Sequence, residues 1–199
     1  MELYQLFITP FFKTKLKMDN TAMIKKLYDL KEENKKGTPR SNVGGWHSGL
    51  DLYKLSEFKD ITVSILEHAK ECFGHLDAAE DMNPKLEALW GIINPPGSRN
   101  NVHTHPASFL SGVYYMKVPE KSGQITFLDP RPQAEILDVF KKDDPNISLA
   151  HSVDLPPEEN SLIFFPSWLQ HQVMTNLSQE DRIVLSFNLM WIGDDNANN

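Results

Sequence analysis

A chain of 199 residues is long enough for one domain that buries roughly 70% of the surface its unfolded form exposes. Its 40% hydrophobic and 24% charged residues are an ordinary globular mixture. The formal net charge of −7 and the absence of a long basic run speak against a nucleic-acid surface. The pairs Lys25-Lys26 and Lys35-Lys36 read as a solvated helix face. The single cysteine, Cys72, rules out an internal disulfide and fits a reducing compartment. No apolar leader opens the sequence and no run of 18 apolar residues occurs, so no membrane partner and a cytoplasmic location are expected.

Residues 3–16, rich in aromatic and β-branched types, predict an opening strand, and Pro10 confines it to an edge or to two short pieces. Asp19-Asn20-Thr21 offers N-cap chemistry for a helix to about Lys35, with Met23, Ile24, Leu27 and Leu30 at helical spacing. Gly37 and Pro39 stop it. Residues 40–55 read as an irregular, glycine-punctuated segment. Ser56 is placed to cap a second helix over 57–73, with Phe58, Ile61, Ile65, Ala69, Cys72 and Phe73 on one face and Gly74 just past its end. Each helix needs its apolar stripe covered, which predicts packing on the outside of a sheet.

From Leu86 the hydrophobic period changes. Residues 86–94 predict a strand and 95–100 a loop. Residues 109–118 predict a strand joined by a 120–123 hairpin turn to a partner at 124–128. Residues 129–148 read as an excursion from the sheet, with one short amphipathic piece over 134–142. Strands follow at 150–155, 161–165, 171–174 and 182–191, and the polar tail 193–199 is expected to fray. The pattern predicts a mainly β (α+β) single domain: a double-stranded β-helix (jelly-roll, cupin-like barrel) over 86–192, flanked by the strand and two helices of 1–75.

His103 and His105 stand at i and i+2 in Asn101-Val-His-Thr-His-Pro106, a spacing that puts both on one side of an extended backbone. Imidazoles converging there suit a first-row metal. His171, closing the hydrophobic run from Leu162, is the third candidate. In the last strand Ile183, Leu185, Phe187, Leu189 and Trp191 share one face. Arg182, Val184, Ser186, Asn188 and Met190 share the other, which is too apolar for a solvated surface and reads as a cavity wall. Arg182 at its start offers a fork of donors to a carboxylate. His47 is a candidate for the cavity mouth. His68, His75 and His151 read as surface or structural residues, and Trp168 and Trp191 as core.

His103-Thr-His105, Ser111-Gly-Val-Tyr-Tyr115, Ser122-Gly-Gln-Ile-Thr-Phe127, Asp129-Pro-Arg131, Asn160 to His171 and Asp181 to Asn188 occur in that order. With Leu6 to Pro10 and Ser41 to Trp46, they make the chain resemble the 2-oxoglutarate/Fe(II) oxygenases of marine bacteria and cyanophages, a group similar to prolyl hydroxylases. The resemblance implies Fe(II) and the co-substrate 2-oxoglutarate. It further implies dioxygen, an unidentified protein side chain or small molecule as hydroxylation substrate, and succinate and carbon dioxide as products. It matches His103 and His171 to the two histidines of a His-x-Asp/Glu…His triad, and Arg182 and Tyr115 to the residues that hold the far carboxylate of 2-oxoglutarate. Ser186 and Asn188 are further candidates for co-substrate or substrate contact.

The sequence departs from that triad at His105, where a carboxylate is expected. Three arrangements stay open: a three-histidine site, His105 behind the ligands, or an acid from elsewhere, with Asp129 nearest. Two other functional classes also stay open, a cupin-like metal enzyme that does not use 2-oxoglutarate and a non-catalytic metal-binding or assembly barrel. The oligomeric state is open too, a homodimer included. The substrate is expected to enter over 95–101 and 129–148.

Overall fold

The computed structural model describes residues 1–2, 6–76, 78, 82–131, 133 and 151–193. Strand β1 (Phe12–Lys15) starts two residues after Pro10 and lies at the edge of its sheet, where a missing backbone donor is tolerated. Helix α1 (Thr21–Glu33) is capped by Asp19, whose Oδ1 accepts from the Thr21 amide at 3.0 Å and the Thr21 hydroxyl at 2.6 Å. The Asn20 amide points inward instead, donating to the Met116 carbonyl at 3.0 Å and to Asn160 Oδ1 at 2.8 Å.

The irregular segment expected over 40–55 holds two short strands, β2 (Asn42–Val43) and β3 (Trp46–His47), and a 3₁₀ turn at Leu52–Lys54. Helix α2 (Lys59–His75) follows a further 3₁₀ turn at Ser56–Phe58. The Ser56 hydroxyl bonds the Glu57 carboxylate rather than capping the helix. Gly74 lies inside α2 and not beyond it, because the helix runs two residues past the expected end, to His75, and closes through Leu76 N–H to the Cys72 and Phe73 carbonyls.

Eight strands follow: β4 (Met82–Asn94), β5 (Arg99–His103), β6 (Leu110–Lys117), β7 (Ile125–Leu128), β8 (Ser152–Leu155), β9 (Ser161–Pro166), β10 (His171–Val173) and β11 (Arg182–Gly193). They fill two sheets, ordered β1-β9-β6-β11-β4-β3 and β2-β5-β10-β7-β8. From β4 to β11 the chain passes back and forth between the sheets, which is the double-stranded β-helix expected. The predicted 120–123 hairpin is not one. Both flanks of β6 are taken by β9 and β11, while β7 pairs with β10 and β8 in the other sheet. Gly123 turns the chain across at φ 88°, and a Cβ there would run into the Met174 carbonyl. The predicted piece at 134–142 and the tail from 194 lie outside the described residues.

The alternation of β11 divides the interior into two cores. Ile183, Leu185, Phe187 and Leu189 pack with α1 and α2 residues such as Leu27, Ile61, Ile65 and Phe73. Each fully buried aliphatic or phenyl side chain contributes roughly 1.5–3 kcal/mol, so this outer face anchors the larger sheet. Val184 faces the other way, into an inter-sheet core with Trp90, Ile92, Tyr115, Ile125 and Phe165. Trp191 stacks on Phe73 with ring centroids 4.3 Å apart, as a core residue should. Trp168 does not: it is 55% exposed, because the tight turn after β9 directs Leu169 inward in its place. Among the described residues no helix is long and apolar enough to cross a membrane.

Close packing of α1 on the sheet depends on Gly91, where an added Cβ would collide with the Leu27 side chain. Gly91→Ala is therefore expected to lose about 1–3 kcal/mol of stability in urea unfolding. Much of that loss should return in the Gly91→Ala, Leu27→Ala pair relative to the sum of the two single changes.

Candidate active site

The antiparallel pairing of β5 with β10 sets His171 directly opposite His103, and their ring centroids are 4.3 Å apart. His105 lies two residues beyond the end of β5, held by its backbone N–H on the Ser167 carbonyl at 2.9 Å. Its Nε2 comes within 3.3 Å of His171 Nε2, and one ring nitrogen from each of the three falls within 4.8 Å of the others. Two nitrogens in adjacent positions around one metal, with bonds of about 2.1 Å, would sit about 3.0–3.4 Å apart, as the His105 and His171 Nε2 atoms do.

The tautomers are set by the backbone. His103 Nδ1 lies 2.7 Å from the Asn101 carbonyl and His171 Nδ1 2.9 Å from the Leu169 carbonyl. A carbonyl can only accept, so Nδ1 carries the hydrogen in both rings and the Nε2 lone pairs are left to converge. Burial holds all three imidazoles neutral: it pushes His171 down to about 3, helped by the neighbouring His103, and His105 down to about 4. Burial also lowers His103. Asp129 stands apart from this cluster. Its carboxylate is taken by the Arg131 side chain, with contacts at 3.0 and 2.9 Å, and it accepts the Arg131 backbone N–H at 2.9 Å.

A cavity of about 670 Å³ lies between the sheets and includes His103, His105 and His171 in its wall. The larger sheet supplies Arg182, Val184, Ser186 and Asn188 from β11, four of the five positions read from its alternation, and Tyr115 from β6; the fifth, Met190, is not in the wall. Arg182 is 3% exposed. Its Nη1 donates to the Gly123 carbonyl at 3.1 Å and, more weakly, to the Ser122 carbonyl at 3.4 Å, while its buried Nε has no partner. Desolvation pushes the guanidinium down to about 10, against the pull of nearby Tyr115, so it stays a cation at neutral pH. Tyr115 is raised to about 12 by burial and keeps its phenolic proton as a donor.

Ile125 and Val173 pair between the Gly123 end and the Phe127–His171 level and line the cavity there. The geometry fits a dicarboxylate reaching from Arg182 towards three metal-ready nitrogens. Midway along β11, Asn188 Oδ1 accepts from Ser111 Oγ at 2.8 Å. His47, from β3, is buried in the cavity wall and stacks on Trp90 at 5.6 Å. Of the expected entry loops, residues 100 and 101 line the cavity, and most of 129–148 lies outside the described residues. Sequence reasoning gave no role to Ser41 or Trp90. Ser41 Oγ lies 3.5 Å from His103 Nε2 and Trp90 against His105 at 5.7 Å. Neither sits in a spacing pattern of its own, although Ser41 begins the quoted run to Trp46.

The model of the family described as "Putative 2OG-Fe(II) oxygenase" matches residues 88–188, half of the chain. The chain belongs to this family of iron(II)- and 2-oxoglutarate-dependent oxygenases. Family membership selects the first of the three functional classes that the sequence left open. Solved structures share the fold at low identity. The carbocyclase SnoK of nogalamycin biosynthesis superposes with a TM-score of 0.64 at 11% identity, covering 96% of this chain and 84% of its own. A prolyl-4-hydroxylase of Pseudomonas putida gives 0.60 at 14%, covering 93% and 94%. HygX of Streptomyces hygroscopicus, solved with nickel, 2-oxoglutarate and hygromycin B, gives 0.61 at 9%, covering 94% and 84%. No curated protein sequence matches the chain significantly.

The depressed imidazoles tie stability to pH. An unfolded histidine binds its proton near 6.5, whereas His171 and His105 resist protonation until about 3 and about 4. Below 6.5 the unfolded chain binds more protons, so the metal-free protein should be fully stable above that pH and lose stability steadily as pH falls towards 3. Urea unfolding at steps from pH 7 to 4 should show this slope, and a His105→Gln, His171→Gln variant should flatten it.

Proposed function

We propose that this chain hydroxylates a C–H bond of a protein side chain or a small molecule, with His103, His105 and His171 as the metal ligands and Arg182 and Tyr115 as the anchor of 2-oxoglutarate. The observation that carries this reading is a buried guanidinium, unmatched by any described carboxylate, in the wall of one cavity with three imidazoles whose ring nitrogens lie within 4.8 Å of one another. A buried cation of this kind is tolerable when an anion meets it, and a planar fork suits a carboxylate. In balance, substrate C–H, dioxygen and 2-oxoglutarate give substrate C–OH, succinate and carbon dioxide.

Iron(II), when bound, supplies the activation of dioxygen. The chain's own residues bind, orient and exclude water. Backbone carbonyls at Asn101 and Leu169 hold the His103 and His171 rings in register and keep their Nε2 atoms unprotonated. Arg182 and Tyr115 direct a co-substrate's far carboxylate to one end of the cavity, and Ile125, Val173 and Val184 keep that end dry. Ser186 and Asn188 present polar groups along the same wall, Asn188 with its carbonyl end already held by Ser111. In this reading the third ligand is a neutral imidazole and Asp129 has no part in the metal site.

Anaerobic iron(II) with 2-oxoglutarate should give the weak visible charge-transfer band of a keto-acid chelate, and His171→Ala or His105→Ala should abolish it. Asp129→Asn should leave it in place. A band that survives His105→Ala but not Asp129→Asn would overturn the ligand assignment. Arg182→Ala should weaken 2-oxoglutarate binding by at least about thirtyfold, since losing one partner of a buried, hydrogen-bonded charge pair costs about 2–5 kcal/mol. Unchanged affinity in a titration followed by that band would remove the co-substrate anchor.

A further inference from the structure

One side of the cavity is walled by the segment that follows α1. Arg40, Ser41, His47 and Leu50 line it, His47 from β3 at the edge of the larger sheet. The segment is fastened to the histidine-bearing strand. Asn42 and Val43 pair with Asn100 and Arg99, the Asn101 amide donates to the Ser41 carbonyl at 2.9 Å, and Asn100 Nδ2 donates to Ser41 Oγ at 3.1 Å. The Arg40 amide donates to Asn42 Oδ1 at 2.8 Å, which fixes the backbone from which its side chain leaves.

Two features of this mouth bear on what enters. In a protein of net charge −7, the charged side chains that line the cavity among the described residues are Arg40 and Arg182, with no Asp or Glu beside them. Arg182 is occupied in the reading above, whereas the Arg40 guanidinium is exposed and makes no ion pair with a described residue. Beside it runs a ladder of rings: His47 on Trp90 at 5.6 Å and nearly parallel, then Trp90 on His105 at 5.7 Å. The field of Arg40 reaches His47, which burial chiefly, and Arg40 further, holds neutral. With Nδ1 bonded to the Ser48 carbonyl at 2.6 Å, His47 keeps Nε2 as an acceptor.

We propose that the substrate of this oxygenase is a carboxylate-bearing molecule, its acid group held by Arg40 and its ring or apolar body laid along His47 and Trp90 towards the three histidines. This rests on the oxygenase reading and adds the substrate class to it. A single cation beside an aromatic face selects for an anionic group on a flat or apolar body, because the guanidinium bonds the acid while the rings take the hydrophobic surface. The like charge at Arg182 belongs to a different wall, on β11, so each acid has a guanidinium of its own.

The test uses the parent protein loaded anaerobically with iron(II) and 2-oxoglutarate. Matched acid and amide probes are titrated in, 3-phenylpropanoate against 3-phenylpropanamide and N-acetyl-L-proline against N-acetyl-L-prolinamide. Binding is read by tryptophan fluorescence while the charge-transfer band is recorded alongside. The acid of at least one pair should bind about threefold to fivefold more tightly than its amide, the scale of one solvated charge pair, with the band retained. That preference should vanish in Arg40→Gln and largely return in Arg40→Lys. Equal binding within both pairs, no binding of either acid, a preference that survives Arg40→Gln, or loss of the band as the acid binds would each overturn the proposal while leaving the oxygenase reading intact. A parent protein with no band would sink both together.

Discussion

A guanidinium held almost wholly out of water, with two backbone carbonyls as its acceptors and no acid from the described chain, is the constraint around which the cavity is arranged. Desolvating a cation costs several kcal/mol in a protein interior unless an opposite charge and hydrogen bonds offset it. The carbonyls of Ser122 and Gly123 meet part of that cost, and they can do so because Gly123 takes a backbone conformation that carries the chain from one sheet to the other. The buried Nε–H is left without a partner among the described residues. Tyr115, protonated by its own burial, adds a second donor at the same end.

The histidine cluster is the complementary half. Three imidazoles bring no negative charge to a metal, unlike a set containing a carboxylate, so a divalent ion there would leave the cavity more positive. In the proposed reading, a dianionic co-substrate answers both that charge and Arg182. The cluster is also stiff. His103 and His171 face each other across one rung of the smaller sheet, each ring is tied to the carbonyl two residues earlier, and His105 hangs from the turn that follows β9. Such backbone ties orient ligands as effectively as side-chain partners and need no further polar residue in the wall.

The larger sheet supports both halves by dividing its faces. On β11 the odd positions from Ile183 to Leu189 lock against α1 and α2, and the even positions from Arg182 to Asn188 face the cavity. Because β11 is central, flanked by β4 and β6 along most of its length, its inward side chains are held by a rigid, fully bonded strand. The wall formed before α2 is different in kind. It is a short segment attached through two two-residue strands and side-chain bonds of Asn42 and Asn100.

Much of this could be read before any fold was known, wherever the signal is local and periodic. The two-residue alternation of β11 separated core from cavity, the i, i+2 histidines and the final His171 named the cluster, and the apolar stripes of α1 and α2 required a sheet to cover. Pro10 marked an edge strand because a missing N–H has the same consequence in any fold. What local pattern could not decide was pairing across the chain. The turn at 120–123 reads as a hairpin, yet the two flanks of β6 are claimed by β9 and β11 from far along the sequence. Likewise Trp168 has the composition of a core residue and lies outside. Residue type and spacing determined which side chains are able to bind a metal and an acid. Tertiary structure alone brought His105 to His171 and Arg182 to Gly123, because their closeness depends on long-range strand register, which no single stretch of sequence encodes.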